Sequence, residues 1–196
     1  MNVRTSVWLA SVVHGAGAPA RAEPGGEPPP GAVHTLSVQV GPVVYSAIGT
    51  APIFAGPKLT LGYRRALAGP LWLDVALGLA SGACLRDGDE AGCVLVPGAA
   101  FELLAGVRAE TRLGAHSVAF GKLAPGLLAL DPDARSGGVG LIVRAGGGLR
   151  RFVSANAAVG VDVTGAIVAG RFELDYGASP WTLMSVEAGL VLETRF

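Results

Sequence analysis

Three sets of residues in this chain could do chemistry: two cysteines, a few histidines, and charges that recur at alternate positions. Cys84 and Cys93 lie in the segment ACLRDGDEAGCV, with eight residues between them that include Gly88, Gly92 and four charges. An even cysteine count in an exported chain points to a disulfide. A bridge there would staple the tip of a polar loop, and its short ring limits the gain to about 2–3 kcal/mol. Two cysteines with no third cysteine and no histidine nearby do not make a tetrahedral metal site, so neither a metal nor a cofactor is expected. Hydrolytic chemistry would need a nucleophile, a base and an orienting acid. His116 is followed at once by Ser117, and adjacent strand residues point to opposite faces. The two cannot share one site without a bulge, so no catalytic residue is assigned. The runs Gly137-Gly138 and Gly146-Gly147-Gly148 fall at strand ends rather than between a strand and a helix, which reads as close packing and not as phosphate binding.

The third set is the informative one. Lys58, Asp74, Glu102, Arg144, Asp162, Glu187, Glu193 and Arg195 each sit on the polar side of a period-two alternation. At the end of the chain, Phe196, Thr194, Leu192, Leu190, Ala188 and Val186 form one face, and Arg195, Glu193, Val191, Gly189, Glu187 and Ser185 form the other. Alternate side chains of a strand lie on opposite faces, so this strand shows one face to an apolar phase and one to a polar phase. The same alternation appears at Leu36, Val38 and Val40; at Leu59, Leu61 and Tyr63; at Leu71 to Leu79; at Phe101 to Val107; at Val139 to Ala145; and at Ala157 to Val163. An eighth segment, 117–130, is irregular: Phe120 and Lys122 fall on one face and Pro125 interrupts it. A bulge at Gly121 or a kink at Pro125 would explain that irregularity.

Composition says which phases these are. The chain has 196 residues, 51% hydrophobic and 15% charged, with a mean hydropathy of +0.50. Soluble domains carry about 25% charged residues. No run reaches the roughly 18 apolar residues of a spanning helix; Asp74 breaks 71–80 and Lys122 breaks 118–130. Formal net charge is zero, which excludes the basic footprint of a nucleic-acid binder. Residues 1–22 read as a secretory signal, with Arg4, an apolar stretch at 7–18 and the small-x-small site Ala20-Arg21-Ala22. Residues 23–32 form a Pro/Gly-rich linker, and 33–196 form the domain.

Eight strands of about ten residues suit tilted membrane strands, and an even number puts both termini on one side. The connections are expected to alternate between short turns (65–70, 109–116, 149–151) and long loops (46–56, 81–96, 131–138, 165–180). Arg64, Arg65, Arg108, Arg112, Arg150 and Arg151 fall near the short turns, and Asp87, Asp89, Glu90, Asp131, Asp133, Glu173 and Asp175 in the long connections. Tyr45, Tyr63, Phe101, Phe152, Trp181 and Phe196 fall near strand ends, where interfacial girdles lie. The polar face is rich in glycine and carries few charges of either sign. That suits a narrow lumen in which charges must pair better than a solvated exterior. Glu187, Glu193 and Arg195 are expected to pair across it with Arg144 or Lys58.

On the 186–196 alternation, with Leu190, Leu192 and Phe196 at the assembly-signal positions and Gly189 within the strand, the domain resembles small bacterial outer-membrane barrels of the outer-membrane-protein-A or opacity-protein type. Thr194 stands where that family commonly has an aromatic. The resemblance implies an all-β, eight-stranded antiparallel up-and-down transmembrane barrel in the cell outer membrane. It also implies the lipid bilayer and the barrel-assembly machinery as partners, and both termini in the periplasm. The expected function is non-enzymatic: a structural or surface-interaction barrel with a charge-paired lumen and a disulfide-stapled external loop, in which the long loops would meet any external ligand or protein. The alternative is a narrow pore or lipophilic-ligand carrier. A lipid-modifying enzyme or a soluble exported barrel is less favoured.

Overall fold

Strands must hydrogen-bond to something at both edges, and a sheet whose one face is apolar can satisfy this in lipid only by closing on itself. The computed structural model describes residues 34–47, 52–85, 94–133, 136–174 and 177–196. Its strands are β1 (His34–Ala47), β2 (Pro52–Ala68), β3 (Leu71–Leu85), β4 (Val94–Arg112), β5 (Ser117–Asp133), β6 (Ser136–Phe152), β7 (Ala157–Leu174) and β8 (Gly177–Arg195). Each pairs antiparallel with the next in sequence, and β8 pairs with β1 to close the barrel. The fold is the expected eight-stranded antiparallel up-and-down barrel. The assigned signal and linker lie outside the described residues.

Following the register once around the wall measures its slant. His34 pairs with Arg65, Arg65 with Leu73, Leu73 with Val107, and Val107 with Leu123. The row continues through Ala145, Gly165 and Val186, and returns to β1 at Val44. Going from 34 to 44 is a climb of ten residues in one circuit. At about 3.3 Å per residue and about 4.8 Å between strands, that climb tilts the strands by about 40° from the axis.

Three turns and the two chain ends lie at one end of the barrel, the terminal end. There His34 and Phe196 exchange both backbone hydrogen bonds, at 3.0 Å each. The β2–β3 turn uses Gly69 at a φ of 55°, a conformation that costs glycine nothing. At the opposite, loop end, the strands run further than the alternation suggested. Strand ends there are separated only by residues 48–51, 86–93, 134–135 and 175–176, so three of the four expected long loops shrink to short connections. The reason is that Gly-, Ala- and Pro-rich segments carry no alternation signal, yet their backbones still enter the ladder. Cys84 falls inside β3 rather than in a loop, and nothing is described of its side chain. Cys93 lies outside the described residues.

β5 needs neither bulge nor kink. Its register with β6 runs without a shift from Ser117 to Leu130, with Pro125 opposite Val143. Pro125 and two other prolines, Pro42 and Pro57, sit on the outward-facing side and are exposed. Each leaves a gap in one ladder: β4–β5 at Pro125, β1–β8 at Pro42 and β2–β3 at Pro57. A proline has no N–H to give, and in each case the missing donor faces the neighbour whose pairing lapses. At the β1–β8 gap the backbones come very close. A Cβ on Gly41 would lie 1.8 Å from the Ala188 carbonyl oxygen, so that position admits only glycine.

The outer wall is apolar and open: Leu36, Val40, Leu61, Leu103, Leu141 and Leu190 are all exposed. Among the described residues its outward charges are Arg65 and Arg151 at the terminal rim and Asp131 and Arg171 at the loop rim. Arg151 pairs with Val159 and Arg171 pairs with Val139, so the two rims stand twelve residues apart along β6 (139 to 151). At a tilt of about 40° this is about 30 Å, the thickness of a hydrocarbon core.

Candidate functional site

With apolar residues outside, the alternation forces the polar residues into the lumen, and each strand contributes a share. Lys58 comes from β2, Glu102 from β4, Arg144 from β6 and Glu187 from β8. All four are buried. Lys58 Nζ lies 2.6 Å from Glu102 Oε2 and 2.7 Å from Glu187 Oε2. Arg144 contacts Glu102 and reaches Glu187 at 3.0 Å. Gln39 Nε2 donates to Glu187 at 2.6 Å, and the Tyr45 hydroxyl donates to Glu102 at 2.5 Å. Thr164 accepts from Arg144 at 3.0 Å. Two cations thus meet two carboxylates, with neutral groups filling the remaining hydrogen-bonding positions, the condition under which buried charge is tolerated.

A second cluster lies toward the terminal end. Glu193 is shared by three arginines: Arg64 at 2.6 Å, Arg195 at 2.9 Å and Arg150 at 3.1 Å. Glu110 is shared by Arg108 at 2.8 Å, Arg195 at 3.1 Å and Arg64 at 3.6 Å. Asp162 takes Arg150 at 2.5 Å and Lys122 at 3.5 Å. Aromatic faces hold the rest of this charge. The Arg108 guanidinium carbon lies 3.4 Å from the Phe120 ring centroid and that of Arg150 lies 4.7 Å from it. Arg195 sits over Phe152 at 4.6 Å and Trp72 at 5.3 Å.

Beyond the first cluster, toward the loop end, the lumen is apolar. Val43, Tyr45, Phe54, Leu128, Leu130, Ile142, Val168 and Leu183 pack together there, each 2% exposed or less. At the terminal end Val118, Phe152 and Ala158 form a smaller cap. Beside it is a cavity of about 200 Å³ lined by Trp72, Glu110, Arg112 and Arg195. The lumen is a packed interior, plugged by hydrocarbon at one end and by ion pairs through the rest.

The expected pairings hold for Glu187, which meets both Lys58 and Arg144. They do not hold for Glu193, which lies toward the terminal end with Arg64 and Arg150, nor for Arg195, a cation that Lys58 and Arg144 would repel and that meets Glu193 and Glu110 instead. Asp74 is buried on the lumen face opposite Arg64 in the β2–β3 register. It makes no ion pair or hydrogen bond among the described residues and stands beside the network. Arg64, Arg108 and Arg150, read from sequence as turn-side charges, point inward with Glu110 and Lys122. The same alternation could have found them, since Arg64 follows Lys58 at even spacing and Arg150 follows Arg144.

Two of the expected girdle aromatics, Tyr45 and Phe152, also point inward, while Tyr63, Phe101 and Phe196 are on the outer wall. Nothing is described of the Trp181 side chain. Leu190, Leu192 and Phe196 are all exposed on the outer wall. Of the histidines, His116 is exposed in a turn and His34 lies on the outer wall against Tyr63. Neither meets a serine and a carboxylate, so the described residues form no hydrolytic triad.

No family model and no curated protein matches the chain. Solved structures do resemble it. Neisserial surface protein A is 10% identical, with 83% of this chain and 97% of that one covered and a TM-score of 0.60. A major outer membrane protein from Thermus thermophilus is 16% identical, covering 83% and 99%, with a TM-score of 0.51. The outer membrane protein AlkL, determined in DMPC lipid bilayers, is 10% identical, covering 93% and 97%, with a TM-score of 0.50. The likeness is one of fold: this chain has the architecture of small eight-stranded outer-membrane barrels.

Proposed function

We propose that this protein is a sealed, non-enzymatic barrel of the outer membrane, with a structural or surface-interaction role. The observation that carries the reading is the lumen. Hydrocarbon fills its loop end and shared ion pairs occupy the rest, which favours a closed scaffold over the narrow pore or the lipophilic-ligand carrier. An apolar outer wall about 30 Å between charged rims supports residence in a bilayer.

On this reading the signal at residues 1–22 directs export, and the barrel-assembly machinery inserts the domain with its terminal end in the periplasm. The 86–93 connection, with Asp87, Asp89 and Glu90, is the widest break between strands at the loop end and becomes the best contact surface. A Cys84–Cys93 bridge would hold its base.

Two measurements test the proposal. Cell fractionation with a gel of boiled and unboiled samples should place the protein in the outer membrane with a shift in mobility. A soluble protein with no shift would end the membrane reading. Single-channel recording in planar bilayers should give no steady conductance, and a steady open state would replace the sealed scaffold with a pore.

A further inference from the structure

The outer wall carries one built polar group at the terminal rim. Phe196, one residue past β8, His34 on β1 and Arg65 on β2 follow one another along a single row. The His34 ring stacks against Phe196 at 5.8 Å and Tyr63 at 5.9 Å, and its Nδ1 is hydrogen-bonded to the Tyr63 hydroxyl at 2.8 Å. In the tautomer whose Nδ1 accepts from the phenol, Nε2 carries the ring proton, and Nε2 has no partner among the described residues. Arg65, directly opposite His34, is exposed and likewise makes no ion pair or hydrogen bond among the described residues. An exposed arginine and an imidazole edge flanked by two aromatic rings thus share one row of the outer wall, at the depth where the hydrocarbon belt ends. Planar guanidinium groups match phosphate oxygens two at a time.

We infer that Arg65 and His34 form a headgroup site for an anionic phospholipid at the terminal-side surface of the bilayer, a reading that rests on the membrane placement above. The phosphodiester takes the guanidinium and Nε2–H, the aromatic shelf of Tyr63 and Phe196 lies under the glycerol region, and the acyl chains run down the wall over Leu36 and Leu61. A net negative lipid fits better than a zwitterionic one, because no choline cation then competes for the phosphate beside Arg65. Arg171, the outward arginine of the loop rim, serves as the comparison.

The test is native mass spectrometry of the full chain released from nanodiscs of mixed phosphatidylglycerol and phosphatidylcholine. The expected result is retention of phosphatidylglycerol in preference to phosphatidylcholine. Arg65→Gln should lower the preference about fivefold, and Arg65→Lys should keep part of it. Tyr63→Phe, which changes no charge, should weaken it by freeing the imidazole, and Arg171→Gln should leave it unchanged. An Arg65→Gln protein with the wild-type preference would overturn the site, as would an equal loss in Arg171→Gln. Both variants alter exposed wall positions, and a mobility shift on unboiled gels confirms folding. A wild-type chain that shows no such shift sinks the membrane placement itself, whereas a folded chain without lipid preference sinks only this site.

Discussion

Glu102 lies 2.6 Å from Lys58 at the centre of the lumen, and both side chains are sealed from solvent. Their partners make the pair part of a balanced quartet. Glu102→Leu leaves two cations on the single carboxylate of Glu187, and breaking a buried pair this way should cost about 3–5 kcal/mol. Lys58→Met combined with Glu102→Leu leaves Arg144 and Glu187 balanced and should cost less than either single change. Urea titrations of the protein folded in vesicles, followed by gel mobility, give both numbers. A double variant as unstable as the sum of the singles would show that the charges do not act as a pair.

The hydrocarbon plug should respond as a core does. Leu128 is fully buried, and Leu128→Ala should lose about 2–5 kcal/mol by the same titration. The variant should still pass no steady current, because the ion-pair layers remain in place behind it.

Phe120 lies beneath two guanidinium groups. Phe120→Leu keeps the apolar volume but removes the ring face, and should destabilise the barrel by about 1–2 kcal/mol. Phe120→Tyr should be close to neutral by comparison. If Leu and Tyr behave alike at this position, the ring serves only as filler.

Gly41 has no room for a side chain. Gly41→Ala drives its methyl into the Ala188 carbonyl at the junction of the first and last strands, and the closed form should be depleted or lost. The fraction of protein migrating as folded in unboiled samples reports this directly. The change Ala188→Gly, which removes a methyl from the outer wall and leaves the carbonyl in place, should not rescue it.

Much of this barrel was legible in the sequence, because alternation is a local property of each strand. The period-two pattern named the strands and placed Lys58, Glu102, Arg144, Asp162, Glu187, Glu193 and Arg195 on one face. It was less informative where side chains stop distinguishing lipid from lumen. Phe120 and Lys122 share a face because an aromatic ring is a good neighbour for cations inside a narrow lumen, so a strand that looks irregular by polarity is regular in register. The strand ends near the loop side were missed because glycine and alanine give no polarity signal. Arg64, Arg108 and Arg150 lie close to turns and so look like rim charges in the sequence, yet a strand tilted by about 40° keeps its inner face inside the wall almost to the turn. Which carboxylate meets which arginine depends on the ten-residue climb of the register, and no single strand encodes that.

The Pro42 gap gives the closing junction two separate fastenings. One joins Thr35–Val40 to the end of β8 and the other joins Val43–Ala47 to its start, with a joint between them where Gly41 and Pro42 drop out of the pairing and Pro42 has no N–H to give. The lapse makes this seam the place where the first and last strands are expected to part first, and amide exchange at Val40 and Val44, on either side of it, would read that opening.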